Sequence, residues 1–336
     1  TQNLDFILNK KKIFNDPLYG FVTIPSELIF DIIQHPYFQR LRRIRQLGVS
    51  EYVYPGVLHT RFQHAIGAMH LMGLALNSLR SKNIDIDEHE YESALIAILL
   101  HDIGHGPYSH ALEYSLLQGI KHESLSFLLM KHLNDEFNGK LDLALKIFQN
   151  TYHKKFLHQL VSSQLDVDRM DYLQRDSFFT GVTEGSVGVE RILEMLNVVN
   201  DSIVVEEKGI YSIENFLSSR RLMYWQVYLH KTSLGAERML INLINRAKEL
   251  SESGIEVIAS KNLSLFLKNT FSLSDFQNDK TLLDAFGHLD DFDIGGAIKF
   301  WTEHDDTVLS TLSTMLLDRK LMKIKLENEP IKKGDI

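Results

Sequence analysis

The run Ala94-Leu95-Ile96-Ala97-Ile98-Leu99-Leu100 leads without a break into His101-Asp102-Ile103-Gly104-His105-Gly106, and no other part of the sequence constrains the fold as much. Residues 90–100 are apolar on nearly every side, so the helix they predict has to be buried rather than laid on a surface. At its end the chain delivers two adjacent polar groups and a glycine turn into that interior. A lone histidine there reads as a satisfied core residue. An adjoining aspartate changes the reading, because a buried carboxylate requires a cation or several donors. A divalent metal held by both meets that need, and imidazole with carboxylate suits Mg, Mn, Fe or Zn.

The rest of the chain bounds the setting. With 336 residues, 44% of them hydrophobic and 24% charged, it has ordinary globular composition and ample length for a sizeable core. It contains no cysteine, which excludes disulfides, thiolate metal sites, iron–sulfur clusters and cysteine nucleophiles together. No apolar run approaches bilayer-spanning length, and the first residues carry no signal-peptide pattern, so a cytoplasmic, non-membrane protein is expected. A net charge of −8 argues against a general nucleic-acid binder while leaving room for a local basic pocket that takes a small polyanion. The 15 histidines are scattered, but several fall between His101 and His122.

Periodicity predicts a mainly helical chain. Helices are expected over residues 24–34, 37–47, 61–79, 90–100 and 159–175, with one or two long ones over 212–249. Strand signals are few: 21–24, a hairpin pairing 202–205 with 209–211, and a terminal strand over 321–326 before a frayed polar tail, 327–336. The drop in histidine density near residue 245 suggests a catalytic domain over 1–245, with a metal-binding core over 58–180, and a mixed α/β C-terminal lobe over 246–336.

Two further segments complete a constellation. His64 shares the inward stripe of its helix with Ala68, Leu71 and Ala75; alone it reads better as a core histidine, and His70 falls on another side. Asp168, Asp171, Tyr172 and Arg175 form one polar stripe, either a solvated ion-paired face or part of a site.

Taken in order, His64, His101-Asp102 and Asp168 resemble the metal signature of the HD-domain phosphohydrolases, and in particular the SAM- and HD-domain dNTP triphosphohydrolases and their bacterial relatives. The resemblance runs from Lys12-Ile-Phe-Asn15-Asp-Pro17 through Phe38-Gln39-Arg40-Leu41-Arg42, Gln46-Leu47 and His59-Thr-Arg61-Phe-Gln-His64. It continues through His101 to His110, His122-Glu123 and Asp168 to Asp176, thins after Lys231, and includes no SAM domain. It implies an HD-domain helical bundle with small β-hairpins, and a divalent metal on His64, His101, Asp102 and Asp168: Mg or Mn in turnover, with Fe, Zn or Ni as alternatives for the bound ion.

The same resemblance implies the remaining roles. His122 matches the proton donor to the leaving oxygen, Glu123 beside it is placed to orient the imidazole, and His105 and Glu113 complete the acid–base network; Glu113 stands where the family uses a shorter acid. Arg61, Arg220, His110 and Arg169 match phosphate contacts, Arg169 replacing a commoner lysine. Tyr172 and Asp176 match residues that hold the 3′-hydroxyl, Leu47 and Tyr228 those that crowd the 2′ position, and Gln46 a sugar-edge contact. Lys12, Asn15, Gln39 and Arg42 match a nucleotide-activator site between subunits, although Gln34 stands where guanine-sensing members carry an acid and, at a second activator site that Tyr54, His230 and Lys231 fit, Val187 replaces another; the basic residues 10–12 and 40–45 read equally as a solvated face. The reaction implied is dNTP and water to deoxynucleoside and inorganic triphosphate, in a homo-oligomer, dimer or tetramer. Two readings compete: a two-metal HD phosphodiesterase or nucleotidase, since His105, His110 and His122 lie near the metal in sequence, and a nucleotide-binding regulatory protein.

Overall fold

A computed structural model describes residues 12–108, 110–117 and 119–324. The chain opens with a hairpin, β1 (Ile13–Asp16) and β2 (Gly20–Thr23), followed by α1 (Glu27–Gln34) and the single turn α2 (Pro36–Gln39). The long helix α3 (Arg61–Ser81), α4 (Glu88–Leu100), the short α5 (His110–Ser115), α6 (His122–Glu136), α7 (Asp142–Phe148), α8 (Lys155–Val161) and α9 (Val167–Thr180) form the bundle. Next come α10 (Val189–Met195), a second hairpin of β3 (Leu196–Val199) and β4 (Ser202–Val205), then α11 (Ile210–Met223) and α12 (Lys231–Glu252). Five helices close the described chain: α13 (Lys261–Lys268), α14 (Leu273–Asn278), α15 (Lys280–Phe286), α16 (Asp291–Trp301) and α17 (Thr307–Leu317). The fold is mainly helical with two small antiparallel sheets, as expected.

α3 is the central helix. It packs against both α4 and α9 and is buried over most of its circumference, which places His64 inside the bundle. Its start is set by Thr60 and Gln63, which form a capping box: the Gln63 carboxamide accepts the Thr60 amide at 2.8 Å. α4 is likewise buried along its apolar run and ends at Leu100, so His101 emerges beside His64. Gly104 permits the following turn to rest on the start of α6, since a Cβ there would collide with the backbone of His122 and Ser126.

Several expected elements differ in the structure. The helix expected over 159–175 is two, because Asp166 caps a fresh start: its carboxylate accepts the amides of Ser163 at 2.7 Å and Arg169 at 2.8 Å. The helix expected over 37–47 ends early. Arg40–Arg43 is a 3-10 turn, after which Ile44 and Gln46 exchange backbone hydrogen bonds with Arg61 and His59 around the isolated Arg45–Thr60 bridge. Residues 202–205 do form a strand, but pair with 196–199 through a two-residue turn at Asn200-Asp201, both at positive φ; residues 209–211 begin α11 instead. The segment 212–249 is two helices separated by a π-helical turn, Tyr224–Tyr228. Residues 321–324 are not in a strand, so the described part of the C-terminal segment contains helices and no sheet, while residues 325–336 lie outside the described residues, as do Lys10 and Lys11. Residue 245 falls within α12.

The C-terminal helices are tied to the turn that follows His101 and Asp102. Arg40 is wholly buried, and its guanidinium donates to the carbonyls of Ile103 at 2.6 Å, Leu289 at 2.9 Å and Phe286 at 3.4 Å. Asp291 accepts the amides of Arg45 and Tyr108, each at 2.8 Å. Replacing Arg40 by methionine fills the space but takes the guanidinium donors from the Ile103 and Leu289 carbonyls and leaves Phe286 only the Leu289 amide. Arg40→Met is expected to lose about 3 kcal/mol or more of unfolding free energy in urea titration; unchanged stability would contradict this role.

Candidate metal centre and adjoining cavity

His64 and His101 are each pinned through Nδ1, and that sets where their other nitrogens point. His64 Nδ1 lies 2.7 Å from Asp171 Oδ2, and His101 Nδ1 lies 2.6 Å from the Ile98 carbonyl oxygen. Both partners can only accept, so each Nδ1 carries a proton and Nε2 is the nitrogen left to ligate once any proton on it is displaced. Each Nε2 is buried and makes no hydrogen bond, yet carboxylates converge on both. Asp168 Oδ1 stands 3.1 Å from His64 Nε2 and 3.4 Å from His101 Nε2, and Asp102 Oδ1 stands 3.3 Å from His101 Nε2. Asp102 Oδ2 is 3.8 Å from His64 Nε2.

Two orphaned imidazole nitrogens facing two carboxylates are a donor set suited to a divalent ion. The electrostatics agree. Burial opposes charge on His64, but the hydrogen bonds and negative charge of Asp168 and Asp171 outweigh it and raise its pKa to about 10. Burial likewise works against ionised Asp168, yet its contacts with His101 and His64 hold it well below the usual carboxylate range. The carboxylates therefore favour a positive charge at the imidazole Nε2, which a proton supplies in the metal-free protein and a divalent cation would supply in its place.

Support for His64 comes from two members of the polar stripe, Asp171 and Arg175, and from Asp16. Asp171 is fully buried and gripped by Arg175, which donates Nε to Oδ2 and Nη2 to Oδ1, both at 2.9 Å. Arg175 in turn donates Nη1 to Asp16 at 2.8 Å, reaching the first hairpin. Gly67, one turn beyond His64, allows this ion pair to lie against α3, because a Cβ would collide with both partners. The i, i+4 spacing of Asp171 and Arg175 was visible in sequence; Asp16 had no local signal.

Beside the ligands lies an imidazole pair. The His105 and His122 rings stack with centroids 3.8 Å apart at 21°. His105 Nε2 is 3.3 Å from Asp102 Oδ1, and burial followed by the charge of Arg61 lowers its pKa to about 3, so this imidazole is neutral. His122 Nδ1 is 2.7 Å from Glu113, which orients it; Glu123, more than half exposed, is 3.7 Å from Nε2. The carboxylate that orients His122 is thus Glu113, not the expected chain neighbour Glu123. Asp102, His105 and His122 form a second cluster with metal-ligand spacing.

A cavity of about 330 Å³ opens next to the centre, and Gln46, Leu47, Arg61, Tyr172, Asp176 and Tyr228 all line it. Arg61 also pairs with Asp102, so it joins the cavity to the ligands. Asp176 accepts the Tyr228 hydroxyl at 2.8 Å and lies 2.7 Å from His59 Nε2. Tyr224 and Tyr228 reach the cavity from the π-helical turn. Arg169 is committed to Asp166, and Arg220, on the last turn of α11, is 3.3 Å from Gln164; neither lines the cavity. The side chain of His110 lies outside the described residues. Away from the cavity, Lys12 pairs with Glu27 at 2.6 Å over the Phe30 ring, Arg42 donates to Gln39 at 2.9 Å over Phe62, and Asn15 sits in β1 opposite Phe21.

The orientation of His64 yields a direct expectation. Asp171→Asn removes the charge that polarises the imidazole and breaks the balance with Arg175, so affinity for Mn²⁺ should fall by about 10- to 100-fold in equilibrium titration; unchanged affinity in a folded variant would contradict this role.

Comparison with known proteins places this geometry. Residues 61–176 match the HD domain and residues 187–272 the HD associated region. The chain is 34% identical to the uncharacterized protein YwfO of Bacillus subtilis over 94% of its own length and 72% of that protein's. It is 32% identical to the deoxynucleoside triphosphate triphosphohydrolase SAMHD1 homolog of Dictyostelium discoideum, matching 71% of this chain and only 50% of that one. The crystal structure of a phosphohydrolase from Bacteroides thetaiotaomicron superposes with a TM-score of 0.94 at 54% identity, covering 97% of this chain and 81% of that one. With its ligand geometry and these matches along nearly its whole length, the chain belongs to the HD-domain phosphohydrolase family.

Proposed function

We propose that the protein is a metal-dependent triphosphohydrolase that converts a deoxynucleoside triphosphate and water to deoxynucleoside and inorganic triphosphate. The observation that carries this reading is the cavity itself: Arg61 joins it to the metal ligands, and Gln46, Leu47, Tyr172, Asp176 and Tyr228 line the remainder at the scale of a sugar. A similar chain named as a deoxynucleoside triphosphate triphosphohydrolase supports the choice of substrate.

His64, His101, Asp102 and Asp168 hold the ion, which when bound supplies Lewis acidity toward a phosphoryl oxygen and lowers the pKa of a nearby water. The bond broken joins the α-phosphorus to the sugar O5′. Arg61 holds a phosphate oxygen and offsets charge developing there. His122, oriented by Glu113 and stacked on neutral His105, gives its proton to the departing O5′. Arg169, Arg220 and His110 belong to the phosphate contacts in this reading, which requires Arg169 and Arg220 to leave Asp166 and Gln164 and turn toward the substrate, and Glu123 flanks the donor. Tyr172 and Asp176 take the 3′-hydroxyl, while Leu47 and Tyr228 occupy the space a 2′-hydroxyl needs.

Turnover with Mg²⁺ or Mn²⁺ belongs to the same reading, with Fe, Zn or Ni as alternatives for the resident ion. So do an activating nucleotide at Lys12, Asn15, Gln39 and Arg42, a homo-oligomeric state, dimer or tetramer, and a cytoplasmic setting; among the described residues no helix is long and apolar enough to cross a membrane. The second cluster, Asp102, His105 and His122, favours one other reading, a two-metal site acting on a phosphodiester or a nucleoside monophosphate.

Incubation of each dNTP and NTP, singly and in mixtures, with Mn²⁺ and anion-exchange resolution of the products separates the two. Deoxynucleoside with intact triphosphate is expected, and a rate that appears only in mixtures reports activation; phosphate or pyrophosphate with a nucleotide product would contradict the proposal. His122→Ala should retain metal and lose about 10²- to 10⁴-fold in kcat, and loss of metal in that variant would favour the two-metal site. Leu47→Gly should admit ribonucleotides, and unchanged rejection of NTPs would remove the 2′-exclusion argument.

A further inference from the structure

His59 belongs neither to the candidate metal ligands nor to the cavity lining, yet it is built in behind the cavity residue Asp176. It is 1% exposed, and its ring lies flat on Phe179 with centroids 4.5 Å apart at 13°. Its Nε2 is 2.7 Å from Asp176 Oδ1, while its Nδ1 is buried without a hydrogen-bond partner. A carboxylate oxygen only accepts, so Nε2 carries the proton and donates it to Asp176. The second carboxylate oxygen accepts from Tyr228 at the cavity. At the backbone, the His59 carbonyl accepts the Gln46 amide at 3.0 Å, so one residue braces both Asp176 and the segment that carries Gln46 and Leu47.

We propose that His59 is a positioning residue for substrate selection: it holds Asp176 in the one orientation from which that carboxylate grips the sugar 3′-hydroxyl of a deoxynucleotide. This rests on the deoxynucleotide reading of the cavity. A carboxylate fixed by a buried donor on one oxygen meets the hydroxyl without first surrendering side-chain freedom. Without that donor Oδ1 is left buried and unpaired, and Asp176 turns toward another partner. The ring does not touch the metal ligands through any described hydrogen bond, so its effect falls on sugar recognition and leaves metal binding alone.

The test compares dNTP with the 2′,3′-dideoxynucleotide of the same base in the wild type, His59→Phe and His59→Gln, with bound Mn²⁺ measured in each. Phenylalanine keeps a ring on Phe179 but has no donor; glutamine places an amide N–H near the position of Nε2. His59→Phe is expected to lose about tenfold or more in kcat/KM on the dNTP, mainly through KM, and little on the dideoxynucleotide, so that the preference collapses. Metal content stays at the wild-type level, and His59→Gln recovers most of the preference. Equal losses on both substrates, or lost metal in both variants, would show a structural support only and overturn the proposal. A wild type that hydrolyses neither nucleotide would overturn the deoxynucleotide reading itself, an outcome distinct from equal losses in variants of an active enzyme.

Discussion

The pinning of two imidazole rings through Nδ1 is the constraint on which the rest of the site depends. His64 is held by Asp171 and His101 by the Ile98 carbonyl, and each bond turns an Nε2 toward Asp102 and Asp168. Neither ring orients itself. Asp171 is held by Arg175, which is held by Asp16 in the first hairpin, so a side chain near the start of the chain bears on a ligand in α3. His101 depends on where α4 ends, and its apolar run fixes that end inside the bundle.

The same economy of position links the metal centre to the cavity. Arg61 and His64 lie one turn apart on α3, so a residue that faces the cavity and a candidate metal ligand move as one body. Across the cavity, Asp168, Tyr172 and Asp176 recur along α9 at a four-residue spacing, placing a ligand and two cavity residues along one stripe of that helix. α3 and α9 pack directly together, so their separation sets the distance between the candidate metal ligands and the cavity.

Much of this was legible in the sequence because it rests on short-range pattern. The all-round apolar run of α4, the inward stripe of α3 and the stripe of α9 are each contained within one helix, and together they bring His64, His101, Asp102 and Asp168 to one point. What was not legible depends on partners distant in sequence or on local side-chain competition. Asp166 ends one helix and starts the next by capping with its own carboxylate, which periodicity over 159–175 cannot reveal. The strand 202–205 has two apolar neighbours, and the turn at Asn200-Asp201 chooses the earlier one. Glu113 reaches His122 because α5 lies against the start of α6, although Glu123 is adjacent in the chain. Asp16 and His59 act over more than a hundred residues of separation, and no local pattern announces such contacts.

The measurement that tests the central claim most directly is the metal-to-protein ratio after dialysis against Mn²⁺, taken for the wild type and for His101→Ala and His122→Ala. One ion per chain in the wild type, none in His101→Ala and one still present in His122→Ala is the result this account predicts. Two ions in the wild type, with one lost in His122→Ala, would contradict a single centre built on the two pinned imidazoles and would make His122 a ligand rather than a proton donor.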